Sequence, residues 1–216
     1  MNNSNIGFLF DLDGVLIDSE KEYSRIWREI NKEFPTGFES LEEIIKGTTL
    51  DNILNTYFPD PELQKKVVER LYEKEGSMNY EYLPGALELL KKLKEKNIPT
   101  ALVTSSNEVK MNHLKEELPG LTEMFDFIVT ADLINSSKPH PEGYLLAASK
   151  IGVSPERCVV FEDSLQGVKA GKAADAFVVG VAGTLPVEVL QPFSDLLTDS
   201  LEKINIDNLI SLVNKR

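Results

Sequence analysis

Beyond Pro84 and Gly85 the chain alternates between short apolar runs and segments with helical spacing, and this alternation restricts its fold more than any other feature. The predicted strands cover residues 6–10, 100–104, 127–130, 158–161 and 177–181. Repeated strand and helix units predict a parallel sheet covered by helices on both faces. The sequence therefore predicts an α/β fold with a Rossmann-like core, in which ligands bind beyond the carboxyl ends of the strands.

Residues 19–82 interrupt this alternation, because apolar residues recur there at helical intervals. Tyr23 and Trp27 belong to the first of these predicted helices, and the default expectation places both in a helical interior. An all-helical block inserted between two parts of another domain predicts a small bundle. We therefore assign residues 1–18 and 83–216 to an α/β core domain and residues 19–82 to an α-helical domain.

The charge and cysteine content exclude several classes of function. A formal net charge of −12, from 35 acidic and 23 basic residues, opposes binding to nucleic acid and to anionic membranes. The apolar run at residues 6–10 lacks a basic flank and is too short for a signal or membrane helix. The single cysteine, Cys158, predicts neither a disulfide framework nor a thiolate metal cluster. We expect a cytoplasmic monomer that binds a small molecule.

Polar clusters follow four of the predicted strands. They are Asp11-Leu12-Asp13-Gly14, Thr104-Ser105-Ser106, Lys138-Pro139 and Glu162-Asp163. Carboxyl ends of parallel strands share one edge of a sheet, so we expect these side chains to form one site. Phosphoryl transfer needs a nucleophile, a clamp for negative charge and a proton donor, and the clusters contain candidates for all three.

The two aspartates of the first cluster are assigned different roles. Asp11 and Asp13 are two residues apart, so in extended backbone their side chains leave on the same side, while Gly14, a candidate phosphate-binding residue, lets the chain turn away beneath them. Asp11 is predicted to be the nucleophile, and Asp13 is predicted to give and take the proton. An all-oxygen set suits Mg²⁺, and the predicted metal site consists of Asp11, Asp13, Glu162 and Asp163.

The hydroxyl cluster and the lysine complete the predicted site. Thr104, Ser105 and Ser106 are candidate donors to phosphate oxygens, and Lys138 would neutralise the phosphoryl group and Asp11. Each cluster also has an ordinary explanation. The hydroxyls could only cap the next helix. Lys138 could be a solvated surface lysine, and residues 162–164 an acidic helix start. His140, beside Lys138, is expected in an exposed loop.

Taken together and in this order, the clusters resemble the four motifs of the haloacid dehalogenase superfamily, in its β-phosphoglucomutase-like branch. The resembling segments are residues 10–20, 104–107, 138–139 and 160–164, within a likeness that runs over residues 7–181. The resemblance implies an aspartyl phosphate on Asp11, an acid/base role for Asp13, a phosphate contact at Thr104, a stabilising Lys138 and a metal ligand at Asp163. It also implies that the helical block is a cap that closes over the site and contributes to specificity.

Departures from the sugar phosphomutases of that branch favour hydrolysis. Tyr23 stands where they usually carry a histidine, and Leu50 where they carry an arginine that binds a second phosphate. Tyr23 and Lys46 are candidate substrate contacts. We expect a Mg²⁺-dependent phosphatase for a small metabolite such as a sugar phosphate. The alternatives are a β-phosphoglucomutase-type mutase and a non-catalytic phosphate-binding regulator, although a regulator would be expected to lack Asp11 or Asp13.

Overall fold

A parallel β-sheet forms the centre of the computed structural model, which describes residues 6–46, 48–76, 78 and 80–216. Its strands are β1 (Gly7–Phe10), β2 (Thr100–Val103), β3 (Phe127–Val129), β4 (Cys158–Glu162), β5 (Phe177–Val181) and β6 (Leu196–Thr198). They lie in the order β3-β2-β1-β4-β5-β6, and every neighbouring pair is parallel. The predicted α/β class with a Rossmann-like sheet is confirmed.

Helices fall into two groups along the chain. Between β1 and β2 lie α1 (Glu20–Glu33), α2 (Leu41–Ile44), α3 (Leu50–Tyr57), α4 (Pro61–Glu75) and α5 (Ala86–Glu95). After β2 come α6 (Glu108–Glu117), α7 (Glu142–Lys150), α8 (Leu165–Ala173), α9 (Val187–Leu190) and α10 (Ile206–Val213). None of the helices in the described part of the chain has the length and apolar character needed to span a bilayer.

Alternate strand residues face two different helical layers. In β1, Phe8 and Phe10 belong to the core that includes α5, α6 and α10, whereas Leu9 belongs to the core formed with α7 and α8. Phe10 also stacks on Phe161 of β4, with ring centroids 4.7 Å apart. Because both faces are buried, these strands have continuous apolar sequences rather than alternating ones.

Helices α1 to α4 are joined to the sheet by two extended segments that run side by side. The Asp18 amide donates to the Glu81 carbonyl at 2.9 Å, and the Leu83 amide donates to the Leu16 carbonyl at 2.9 Å. Within the helical block, α1 packs against α2 and α4. The assignment of residues 19–82 to a separate domain stays a prediction, and these paired connectors give it a physical basis.

Some features were not anticipated by the sequence analysis, or fall outside the described residues. Strand β6 was not identified, because it has only three residues, all half-buried, at the edge of the sheet. Residues 1–5, which were assigned to the core domain, lie outside the described residues. Gly47 lies outside them as well.

Candidate active site

The register of the central strands brings the ends of β1, β2 and β4 to one edge of the sheet. Phe10 pairs with Leu102 of β2 and with Phe161 of β4. The Asp11 amide donates to the Phe161 carbonyl at 3.0 Å, so Asp11 continues the line of β1 by one residue. Asp11 therefore emerges beside Glu162, the last residue of β4.

Lys138 reaches this edge from the loop that follows β3. Its Nζ atom lies 2.7 Å from Asp11 Oδ1, 2.5 Å from Glu162 Oε1 and 3.3 Å from the Val103 carbonyl. Burial lowers the pKa of Lys138, but the two carboxylates outweigh burial and raise it above its ordinary value. The lysine is 7% exposed, so the surface-lysine alternative is wrong.

Glu162 is fully buried, and both of its carboxylate oxygens accept hydrogen bonds. Oε1 accepts from the Tyr144 hydroxyl at 2.7 Å as well as from Lys138. Oε2 accepts from Ser164 Oγ at 3.0 Å and from the amides of Asp163 and Ser164 at 3.2 and 3.3 Å. These contacts make Glu162 an anchor for the lysine and for the chain that enters α8.

A group of buried carboxylates lies next to the lysine. Asp11, Glu162 and Asp163 each offer one oxygen, and these oxygens all lie within 4.8 Å of one another. Burial raises the pKa of Asp11 to about 7, with Lys138 opposing the increase and Glu162 adding to it. Three carboxylates close to one ammonium carry excess negative charge, and oxygen ligands suit Mg²⁺. The donor set therefore fits a divalent cation.

Asp13 lies outside this carboxylate group and has its own set of donors. Its two oxygens lie 2.8 and 2.7 Å from Nζ of Lys110, a lysine in the first turn of α6. Ser19 Oγ donates to Oδ1, and Ser106 Oγ lies 3.4 Å from Oδ2. Ser106, expected to contact phosphate, thus faces Asp13. The role of Asp13 as a metal ligand stays a prediction.

The other hydroxyls of the second cluster have different environments. Thr104 is 2% exposed, and its Oγ1 accepts the Ser106 amide at 3.0 Å. Ser105 lines the cavity above the sheet edge. Helix α6 is capped by Asn107, whose side chain accepts the Lys110 amide at 3.1 Å. The explanation of residues 104–106 as the cap of this helix is therefore wrong.

A cavity that is partly open to solvent lies above the carboxylates and is walled by residues of the helical block. Tyr23 and Lys46, the candidate substrate contacts, both line it. The Tyr23 hydroxyl donates to Glu75 Oε1 at 2.7 Å, and the Lys46 ammonium lies 3.0 Å from Glu43. The side chain of His140 is 56% exposed, as expected for a loop residue.

Three residues of this site were missed by the sequence analysis: Lys110, Tyr144 and Glu75. Lys110 and Tyr144 lie near the starts of α6 and α7, the helices that follow β2 and β3. The first turn of a helix that follows a parallel strand lies close to the ligand-binding edge of the sheet. That position is the signal that could have identified both residues. Glu75 ends α4 and has no such signal, because its contact with Tyr23 joins two separate helices.

The sheet, its strand-end carboxylates and the buried lysine define an enzyme of the α/β class. The chain belongs to the haloacid dehalogenase-like hydrolase family, whose model matches residues 7–175. It is 34% identical to the probable pseudouridine-5'-phosphatase of Saccharomyces cerevisiae, over 92% of this chain and 94% of that protein. It is 33% identical to hexitol phosphatase A of Escherichia coli, over 93% of each chain.

The structure is similar to a crystal structure of β-phosphoglucomutase from Clostridium difficile. The TM-score is 0.81 at 28% sequence identity, and the alignment covers 98% of each chain. The likeness extends over the sheet and the helical block together. The predicted resemblance to the β-phosphoglucomutase-like branch of the family is thus confirmed.

Proposed function

We propose that this protein is a Mg²⁺-dependent phosphatase that hydrolyses a small phosphate monoester, with sugar phosphates as the first candidates, through an aspartyl phosphate on Asp11. The observation that carries the proposal is the 2.7 Å contact between the Lys138 ammonium and Asp11 Oδ1, inside a group of buried carboxylates. The two relatives named above are phosphatases by name, and one is named for hexitols.

In the first half of the reaction a phosphoryl group passes to Asp11. An Asp11 oxygen forms a bond to phosphorus as the bond from phosphorus to the leaving oxygen breaks, and Asp13 gives its proton to that oxygen. Lys138 neutralises charge on the phosphoryl oxygens, while hydroxyls of Thr104 or Ser105 donate to them. When bound, Mg²⁺ would supply further charge stabilisation and align the phosphate with Asp11.

In the second half the aspartyl phosphate is hydrolysed. Asp13 takes a proton from water as the water oxygen attacks phosphorus, and the bond to Asp11 breaks to release inorganic phosphate. Because the nucleophile is returned as a carboxylate, its ammonium partner Lys138 stabilises both the start and the end of the cycle.

Three of the four predicted metal ligands are proposed to have different roles. Asp11 and Asp163 are proposed as direct ligands, because both lie in the carboxylate group beside the cavity. Glu162 is proposed to act behind them, since its oxygens already accept from Tyr144, Lys138 and Ser164. Glu162 would thus orient Lys138 and the loop that carries Asp163 without itself contacting the cation.

Helices α1 to α4 are proposed to form the cap. Tyr23 and Lys46 come from this block and line the cavity directly above the carboxylates, so the block would contact the leaving group and exclude bulk water. The cytoplasmic location and the monomeric state stay predictions.

Hydrolysis is favoured over the mutase alternative by the lining of the cavity. Leu50 is among the lining residues, so an apolar side chain occupies the position at which the resembling mutases carry an arginine. An arginine there would bind a second phosphate in a bidentate manner, and leucine cannot. The regulator alternative is disfavoured because Asp11 and Asp13 are both present and engaged.

A screen of phosphorylated metabolites with and without Mg²⁺ tests the proposal. We expect Mg²⁺-dependent release of inorganic phosphate, lost on addition of a chelator and restored by excess Mg²⁺. Chromatography of the products separates the alternatives, because an isomerised sugar phosphate would identify a mutase. Absence of release from every ester class tested would support a non-catalytic protein.

A further inference from the structure

Lys110 is a buried lysine whose ammonium group is directed at a single carboxylate. It is 8% exposed, and Nζ lies 2.8 Å from Asp13 Oδ1 and 2.7 Å from Asp13 Oδ2. A buried ammonium is costly unless it is paired and hydrogen-bonded. The contacts with Asp13 therefore offset the cost of burying Lys110. Asp13 in turn is left 20% exposed, on the side of the cavity.

The ammonium of Lys110 is itself held in place by the helical block. Its Nζ lies 4.1 Å from the centre of the Tyr23 ring, within the range of a cation–π contact. The Tyr23 hydroxyl donates to Glu75 Oε1 at 2.7 Å, which fixes the ring. On the other side, the Asn107 cap fixes the first turn of α6, from which Lys110 extends.

Further donors fix the orientation of Asp13 about this ion pair. Ser19 Oγ donates to Oδ1, and Ser106 Oγ lies 3.4 Å from Oδ2, so each oxygen faces one hydroxyl and the shared ammonium. A carboxylate held at both oxygens has one orientation relative to the sheet edge. Proton transfer requires such an orientation, because the donor oxygen must lie within hydrogen-bond reach of the reacting oxygen.

We propose that Lys110 is a positioning residue that holds the Asp13 carboxyl group in the orientation needed for proton transfer. The inference rests on the proposed phosphatase function and adds a residue to it. Asp13 gives its proton to the leaving oxygen in the first half and takes one from water in the second. Lys110 forms no covalent bond in either half of the reaction. It orients the Asp13 carboxyl group and provides its counter charge.

The test compares Lys110→Met with Lys115→Met, which removes an exposed lysine from the same helix. Two ester classes are used: an alkyl phosphate, whose leaving oxygen needs a proton, and p-nitrophenyl phosphate, whose leaving group does not. We expect kcat/KM of Lys110→Met to fall about 100-fold for the alkyl ester. For the aryl ester, kcat/KM should change little. Lys115→Met should behave as wild type with both esters.

A pre-steady-state measurement separates positioning from substrate binding. With Asp13 misplaced, hydrolysis of the aspartyl phosphate becomes slow, so Lys110→Met should show a burst of p-nitrophenol close to one per enzyme molecule. A lysine that only binds the alcohol part of the substrate would give no burst, and that result would overturn the proposal. Lys110→Gln, which keeps a polar group in the same position, gives the same comparison if the methionine variant does not fold.

A double variant tests whether Lys110 acts through Asp13. The kcat/KM of the double variant, Asp13→Asn with Lys110→Met, should be within about twofold of that of Asp13→Asn alone. Two residues that act as one unit do not contribute independently. If the losses in kcat/KM of the two single variants multiply in the double variant, the proposal is overturned. Wild-type activity reports separately on the proposed function: a working Mg²⁺-dependent phosphatase in which Lys110→Met matches Lys115→Met would exclude the positioning role only.

Discussion

Gly14 lies so close to Asp163 that a β-carbon built at position 14 would stand 1.9 Å from Asp163 Oδ2. Its φ angle of +74° also lies in the left-handed region that disfavours other residues. The turn after β1 thus passes directly against a proposed metal ligand. The close approach of backbone to carboxylate is possible only because this position has no side chain.

Gly14→Ala should therefore displace Asp163 and weaken Mg²⁺ binding. Gly120→Ala is a matched control, because Gly120 has a φ of +94° and a β-carbon placed there would meet nothing within 4 Å. Both variants should lose about 1 to 3 kcal/mol from backbone strain, and only Gly14→Ala should lose activity as well. Urea unfolding and the Mg²⁺ dependence of phosphate release measure the two effects. Equal activity in the two variants would contradict the importance of this contact.

Replacement of the nucleophile should abolish turnover while the fold is kept. We expect Asp11→Asn to lose at least about 1,000-fold in kcat. The asparagine carbonyl can still accept from Lys138, so circular dichroism and the unfolding midpoint should resemble those of wild type. Asp199→Asn, at a side chain that is 63% exposed, is the control. Appreciable hydrolysis by purified Asp11→Asn would remove Asp11 as the nucleophile.

Loss of the buried ammonium should affect stability as well as activity. Lys138→Met leaves Asp11 and Glu162 buried without their shared cation, which typically costs about 3 to 5 kcal/mol. Adding Asp11→Asn should recover part of that loss, because one of the two buried negative charges is removed. The free energy of unfolding, measured with denaturant in the absence of Mg²⁺, checks both statements. A double variant less stable than Lys138→Met would argue against this account.

Glu75 should make stability depend on pH. Burial raises the pKa of Glu75 above its ordinary value of 4.5, although the Tyr23 hydrogen bond and Lys110 oppose the increase. The folded state then keeps the proton at pH values where the unfolded chain has lost it. The resulting stabilisation is present below pH 4.5 and is lost as the pH rises through the raised pKa.

Glu75→Gln keeps an acceptor for Tyr23 and removes the titration. Relative to wild type, its free energy of unfolding should increase as the pH rises from 4.5 toward neutrality, because wild type loses stability over that range and the variant does not. Glu73→Gln, at an exposed position on the same helix, should show no such trend. Urea titrations at several pH values provide the measurement, and parallel pH curves for all three proteins would contradict the prediction.

The strands that carry the site were predictable because their burial leaves a local signal. Phe8, Leu9 and Phe10 pack against helices on both sides, so β1 has a continuous apolar sequence that ends at Asp11. Strand β6 has no such signal, since its three half-buried residues lie at an edge. The ends of the central strands, and with them the first and fourth clusters, follow from sequence pattern alone.

The contacts of the two buried lysines could not be predicted from local sequence pattern. Lys138 meets Asp11 across 127 positions of sequence, and Lys110 meets Asp13 across 97. The position of Lys110 depends on how α6 packs through Met111 and Leu114, which is a property of the folded core. Motif resemblance identified Lys138 in advance, and Lys110 lies outside the four motifs.

The paired connectors near Ile17 and Tyr82 are the two chain segments that join helices α1 to α4 to the sheet. We expect any swing of the helical block relative to the sheet to be centred on these connectors, because sideways sliding would break the hydrogen bonds between them. The Gly14 amide donates to the Ile17 carbonyl, so Asp13 stands beside the axis of any such swing. Points near an axis move least, and the proton carrier would keep its place while Tyr23 and the cavity wall travel farther.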